Sequence, residues 1–384
     1  VKTERTSKLP PFFIQGIGSL PRPQAVRDLV AQRDALPAAD ADRLARTLDD
    51  YVVFAIRLQE QAGLDVISDG EWRRSHYIGE FLARVGGFER CRPFQHQGET
   101  KLTDVVVRRM KAGAPVFAED ARFLVEHTDR RGGAFRCTKF ALPSPFLIAV
   151  RYWHQDYSRD AYPTIEHFTE HLAALLAAEA RALVEVGIDI VQLDDPALTY
   201  FCDRRLTSAE PGGEEIHDER LRREWNADTQ FPQALATINA VAEGLRAEVH
   251  LHCCHSVYKR RSDVAGDYKP ILPRLAGAKV DRLNLEFAYP QTGDVSDLEL
   301  LPAHLGLGMG VVDVRNEALQ SVEAIEALAA AGAGIVGPGR MALNPDCGFA
   351  PGAGEPPTID EAYEKLCRLA AAAARLRGRF LPGA

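Results

Sequence analysis

The chain has 384 residues, 46% of them hydrophobic, with 54 acidic against 46 basic side chains and a formal net charge of −8. That length can bury a large core, as one big domain or two smaller ones. Basic runs go no further than "KRR" at 259–261 and "RRGG" at 130–133, too short to neutralise a row of phosphates, so no nucleic-acid partner is expected.

No apolar run reaches the roughly 18 residues of a membrane span. The opening "VKTERTSKLPPFF" has no long apolar segment and no small-residue cleavage site, so neither a membrane nor a secretory route is expected. Seven cysteines, scattered apart from the adjacent Cys253 and Cys254, suit free thiols in a reducing cytoplasm better than a disulfide framework.

In chain order, short strand-like runs are expected at 12–19, 64–71, 138–145, 189–196, 248–253, 282–288, 304–310 and 333–339. Alanine-rich amphipathic helices are expected at 41–62, 164–186, 228–246, 319–332 and 358–378. Eight strands separated by helices predict an α/β fold, a (β/α)8 TIM barrel forming a single domain over 1–384. Two insertions stand out. Residues 87–136, after strand two, read as a strand-rich excursion with a short helix. Residues 202–224, after strand four, read as a charged loop over one face.

Polar groups gather at the C-terminal ends of the expected strands: Ser19, Asp69, Glu71, Asp194, Asp195, His252, Cys254, Glu286 and, just beyond strand seven, Asp313. Active sites of such barrels lie at that face. In "VHLHCCHS" (249–256) the period-2 alternation of a strand puts His250, His252 and Cys254 on one side, and Cys253 and His255 on the other. His252-x-Cys254 is a good chelating pair, but zinc takes four ligands, or three and a substrate. Further donors must come from other strand ends, and Glu286 in "LNLEFA" and Cys347 in "ALNPDCGF" are the candidates. Cys91, Cys137, Cys202 and Cys367 read as ordinary buried or loop thiols.

"HLHCC", "NLEF" and "NPDCGF", with "GIGSLPRP" (16–23), "GLDVISDGEWRR" (63–74), "VQLDDPAL" (191–198) and "GLGMGVVDVRN" (306–316), resemble the motifs of the cobalamin-independent methionine synthase family, in its catalytic C-terminal barrel. They occur in family order over nearly the whole chain. The resemblance implies a zinc-dependent methyl transfer to a thiol such as homocysteine. It places the zinc ligands at His252, Cys254, Glu286 and Cys347. It places the carboxylate of the amino-acid thiol at Ile17, Gly18 and Ser19, and its ammonium at Glu71 and Asp194. Asp195 should face away from the pocket and orient a neighbour.

Zinc held by two thiolates, an imidazole and a carboxylate carries a net negative charge. That makes it a poor Lewis acid but a good holder of a substrate thiolate, whose free pKa of ~8.5 leaves it mostly protonated at neutral pH.

Three departures bear on the second substrate. Full-length members of the family carry a further N-terminal barrel that helps hold a polyglutamylated folate, whereas this sequence accounts for one barrel. Folate-binding barrels place a tryptophan where "PSPFLIAVRYW" (143–153) has Arg151, with Trp153 shifted. The family's proton-donating histidine is replaced by Arg315, which cannot release its proton but can hold an anion or a developing alkoxide. A donor other than folate is therefore expected, and a corrinoid or corrinoid protein would fit. Two alternatives stay open. One resembles epoxyalkane:coenzyme M transferase, with Arg73, Arg74 and Arg315 as partners of a sulfonate or alkoxide. The other is a metal-free lyase sharing the uroporphyrinogen decarboxylase fold.

Overall fold

The computed structural model describes residues 3–35, 38–96, 98–130, 135–208, 216, 218–258, 260–349 and 357–381. Eight parallel strands form one sheet: β1 (Phe13–Ile14), β2 (Val66–Ile67), β3 (Cys137–Pro143), β4 (Ile190–Asp194), β5 (Glu248–Cys253), β6 (Arg282–Glu286), β7 (Gly306–Val312) and β8 (Met341–Pro345). They pair in chain order from β2 to β8, β8 pairs with β1, and a bridge between Gln15 and Val66 brings β1 against β2. This is the expected (β/α)8 barrel. Its outer layer includes α1 (Ala38–Ala62), α2 (Ala118–His127), α3 (Ile165–Glu185), α4 (Ala227–Ala242), α5 (Val322–Val336) and α6 (Ile359–Phe380), while short 3-10 turns follow β5 and β6. None of the described helices is long and apolar enough to cross a membrane.

The inward-facing positions are polar. Lys139 donates to Gln15 Oε1 at 3.0 Å and Gln192 Oε1 at 2.8 Å, and Gln15 donates to Asn284 at 3.0 Å. Asn284 in turn donates to Gln192 at 3.1 Å. Each of these four side chains finds partners, as a buried polar cluster requires. Strand β7 contributes glycines because there is no room for more: a Cβ on Gly308 would lie 2.0 Å from Asn284 Oδ1 and 2.6 Å from Asn344 Oδ1.

The eighth strand is not at 333–339. "AGIV" completes α5, Gly337 ends that helix at φ 88°, and β8 follows at Met341–Pro345. A short apolar run reads equally as helix or strand by periodicity, and here the helix takes it. β1 and β2 are also far shorter than 12–19 and 64–71. Their C-terminal continuations are loops, and those loops carry Ser19 and Glu71.

The first insertion is an antiparallel hairpin, Phe88–His96 with Glu99–Val106, followed by α2. The described part of the second contains two short helical turns, Arg204–Thr207 and Glu219–Leu221, and its residues 209–215 and 217 lie outside the described residues. The two meet: Gln95 N donates to Glu219 Oε2 at 2.7 Å, and Arg220 sits 4.0 Å above the Phe94 ring. Together they roof the C-terminal face of the barrel.

Candidate active site

Under that roof lies a cavity of about 360 Å³, lined by Gly18, Ser19, Glu71, Asp194, His252, Cys254 and Cys347 among others. It opens at the C-terminal ends of the strands, as the fold dictates.

His252 is the last but one residue of β5, Cys254 lies one residue past that strand, and Cys347 lies two residues past β8. One ring nitrogen of His252 and the two sulfurs lie within 4.8 Å of one another, and all three side chains are buried. Register explains the meeting: His252 pairs with Asp194 on one side and Asn284 on the other, so its side chain points into the barrel mouth. Asp194 Oδ1 lies 3.0 Å from His252 Nδ1, while the buried Nε2 has no hydrogen-bond partner. A carboxylate that fixes one imidazole nitrogen and leaves the other as a free donor is the usual support of a metal-binding histidine. The two thiols are in contact. A hydrogen bond from Cys347, opposed by burial and helped by His252, draws Cys254 down to about 5, and the Cys347 thiol is raised in return. An orphaned imidazole nitrogen beside two sulfurs is a donor set that fits zinc.

Glu286 does not join this group. Its Oε1 accepts from Arg315 Nη2 at 2.8 Å, and its Oε2 accepts from the His255 backbone at 2.8 Å and lies 2.8 Å from His255 Nδ1. Burial would raise this carboxyl, but Arg315 and His255 hold it at about 2. Arg315, expected to face the chemistry, is buried outside the cavity lining. It also donates to Ser262 Oγ at 2.9 Å and packs on the Tyr289 ring at 4.7 Å. Arg73 pairs with Asp49 and Asp120, and Arg74 lies 3.7 Å from Asp69 and 3.9 Å from Glu71. Neither lines the cavity, so the arginines named for a sulfonate or alkoxide have protein partners instead.

The other expected residues divide. Gly18 and Ser19 line the cavity, and Ile17 is buried beside it with its carbonyl accepting from Gln192 Nε2 at 2.9 Å. Their loop is pressed against the loop of Cys347: a Cβ on Gly348 would come within 2.9 Å of Ser19 N. Leu20 N donates to Gly70 O at 3.1 Å, which ties the same loop to Glu71. Glu71 takes a left-handed backbone at φ 58°, costly for a residue with a Cβ and typical of functional positions. Burial, against the pull of Arg74, pushes its carboxyl up to about 7. Asp195 is fully buried outside the cavity, where it accepts from Ser144 Oγ at 2.5 Å and from Ala197 N at 3.1 Å. Asp313 accepts from the Arg315 backbone at 2.7 Å.

Sequence reasoning passed over several supporting groups. Gln192 and Lys139 share the inward phase of β4 and β3, and a period-2 count backwards from Asp194 would have found Gln192. Asp346, inside the quoted "NPDCGF", accepts from the backbones of Phe287 and Ala288 at 3.0 Å and Tyr289 at 2.9 Å. It thereby locks the Cys347 loop to the end of β6. Nothing in the local sequence announces that partnership.

Fold and site together define the class: a (β/α)8 barrel whose C-terminal face gathers an imidazole and two thiols able to hold a metal ion. Within that class, residues 12–101 and 152–374 match the family model described as the catalytic domain of cobalamin-independent synthase, and the chain belongs to that family. Similar curated proteins are methionine synthases. That of Pyrococcus abyssi is 27% identical over 343 residues, 89% of this chain and 87% of the relative. That of Sulfolobus acidocaldarius is 26% identical over 336 residues, 87% of this chain and 84% of the relative. Among solved structures, a B12-independent methionine synthase from Shewanella sp. W3-18-1 in complex with selenomethionine shares the fold with a TM-score of 0.75 at 21% identity, covering 97% of this chain and 99% of that one.

Proposed function

We propose that the chain is a zinc-dependent S-methyltransferase that places a methyl group on a small thiol such as homocysteine. The observation that carries this reading is the orphaned Nε2 of His252, buried beside Cys254 and Cys347 with Asp194 fixing the opposite nitrogen. The family membership and the names of the relatives point the same way.

In this reading His252, Cys254 and Cys347 are the protein's donors to zinc, which when bound holds a substrate thiol as the more nucleophilic thiolate. Glu286 stays with Arg315. Releasing it would break several charge-assisted hydrogen bonds and leave a buried guanidinium without its partner, a cost of several kcal/mol (~3–5) for breaking a buried pair. Three protein donors leave a position for the thiol. Ser19 and its loop hold the amino acid's carboxylate, and Glu71 and Asp194 hold its ammonium. Asp194 also fixes the tautomer of His252, so one carboxylate registers the substrate against the donor set. The roof of hairpin and loop excludes water from the thiolate.

The methyl donor is read as something other than methyltetrahydrofolate. Trp153 donates to Tyr162 O at 3.1 Å and stands outside the cavity lining, so no tryptophan is there to stack a pterin. A corrinoid, a corrinoid protein or a small activated methyl compound would supply the methyl group instead. The test is an assay matrix on zinc-loaded protein. Homocysteine and 2-mercaptoethanesulfonate serve as thiols, against methyltetrahydrofolate, methylcobalamin and epoxypropane as donors. Methionine formation from methylcobalamin is expected. Turnover confined to epoxypropane would replace the methyl-transfer reading, and efficient turnover of the folate would overturn the donor assignment.

A further inference from the structure

The cavity is electrically lopsided. Glu71, Asp194 and the thiols come to its lining from the strand ends, whereas Arg90, Lys101, Arg151 and Arg220 come from the hairpin, the helix Pro145–Tyr152 and the second insertion. Most of these cations have protein partners. Arg220 forms a two-pronged pair with Asp218, Arg90 lies 3.6 Å from Asp104, and Lys101 lies 3.4 Å from Glu99 and donates to Tyr258 at 2.9 Å. Arg151 is different. Its Nη2 donates to Tyr200 Oη at 3.0 Å, its strongest electrostatic neighbours are phenols, and among the described residues it forms no ion pair with a carboxylate. The acids nearby are committed elsewhere: Asp194 to His252, Glu71 beside Arg74, Asp263 to His96, Asp218 to Arg220.

A guanidinium in a partly buried, aromatic setting without a counter-ion is costly. Arg151 sits in the last turn of the helix Pro145–Tyr152, whose terminal carbonyls offer only a partial negative charge, roughly −0.5. Tyr77, Tyr152 and Tyr200 surround it as phenols that burial raises, so none is an anion at neutral pH. A planar fork of donors facing a cavity matches the geometry of a carboxylate or phosphate.

We propose that the part of the cavity lined by these cations is an oxyanion subsite organised by Arg151, which takes a carboxylate or phosphate group of a bound substrate. The inference deepens the thiol-methyltransferase reading. The ligands that fill the cavity are cationic or neutral at Glu71 and Asp194 and anionic at Arg151. Ser19 and its loop already take the amino acid's carboxylate in that reading, so the oxyanion belongs to the second substrate, the methyl donor. Arg151 acts by binding and orienting, with no proton to give.

The experiment compares zinc-loaded wild type, Arg151→Met and Arg151→Lys by calorimetry, with thermal melting as the control for folding. Inorganic phosphate probes the subsite independently of any assumed reaction. It should bind wild type in the millimolar range, at least 10-fold more weakly to Arg151→Met, and with intermediate affinity to Arg151→Lys. L-homocysteine, its decarboxylated analogue 3-aminopropane-1-thiol and methylcobalamin, which carries a phosphodiester, then locate the source. A tenfold loss for homocysteine but not for the decarboxylated thiol would move the amino acid's carboxylate from Ser19 to Arg151 and overturn the assignment to the donor. Unchanged homocysteine binding with a tenfold loss for methylcobalamin assigns it to the second substrate, as proposed. Equal affinities of all four ligands for wild type and Arg151→Met overturn the proposal, as does an equal loss for the anion-free thiol. If homocysteine fails to bind wild type while phosphate binding still depends on Arg151, the methyltransferase reading falls and the oxyanion subsite stands.

Discussion

Replacing Cys347 with serine removes one sulfur from a three-donor cluster, whereas replacing Glu286 with glutamine disturbs the contacts with Arg315 and His255. The two variants therefore separate donors from neighbours. Elemental analysis should find about one zinc per chain in wild type and nearly none in Cys347→Ser. Glu286→Gln should keep its zinc through chelator competition, with apparent affinity within roughly threefold of wild type, while losing stability because buried Arg315 keeps only the more distant Asp346, 3.8 Å away, as a charged partner. Loss of zinc from Glu286→Gln would return that carboxylate to the ligand set. Glu71 gives a pH signature. Its carboxyl, raised to about 7 by burial, must be ionised to hold an ammonium group. Affinity for L-methionine, which has no thiol to titrate, should rise with pH from 6 to 8 and then level off. In Glu71→Gln that rise should vanish, and an unchanged profile would remove Glu71 from the ammonium site. At this scale the sequence was legible where strand phase applied, as for His252 and Cys254. Cys347 came from motif resemblance. The attachment of Glu286 to Arg315 and His255 was not legible, because it depends on which of several nearby donors reaches a carboxylate first.

The strands show the same division between pattern and packing. β4, β5 and β6 lie where alternation and β-branched runs put them, since each is buried on both faces and has few competing readings. The eighth strand was displaced because "AGIV" satisfies a helix as well as a strand. What selects Met341–Pro345 is the register that sets Asn344 beside Gly310 and closes the polar layer. That layer makes a sharp prediction for β7. A methyl group at position 308 would collide with the amide oxygens of Asn284 and Asn344, both fixed by hydrogen bonds. Gly308→Ala should lower the melting temperature markedly, by an overpacking cost of about 1–3 kcal/mol. Gly334→Ala, where a Cβ meets nothing within 4 Å, is the matched control and should be neutral or better. Equal behaviour of the two variants would mean that the interior amides can step aside.

For the molecule as a whole, Lys139 at the barrel's centre couples folding to pH. Burial lowers its ammonium to about 7, opposed by Asp194 and Glu71. An unfolded lysine titrates near ~10.4, so between these values the unfolded chain holds a proton that the folded chain lacks. The lysine's contribution is therefore fully present above the unfolded value and is lost as pH falls through 7, with a slope of up to about 1.4 kcal/mol per pH unit. Denaturant unfolding from pH 7 to 10 should show this rise in wild type and a flatter profile in Lys139→Met. The Lys139 network also closes the seam of the barrel, through Gln15 and the Gly16 carbonyl. That seam is thinly stitched: β1 pairs with β8 at two positions and meets β2 at a single bridge. The segments that leave it carry Ser19 and Glu71. Amide hydrogens of 15–20 and 66–71 should therefore exchange with solvent deuterium well before those of β4 to β6, through local opening rather than global unfolding. A ligand that grips both loops would bind only the closed seam and slow that exchange. The barrel's least secured wall would then be the one its substrate completes.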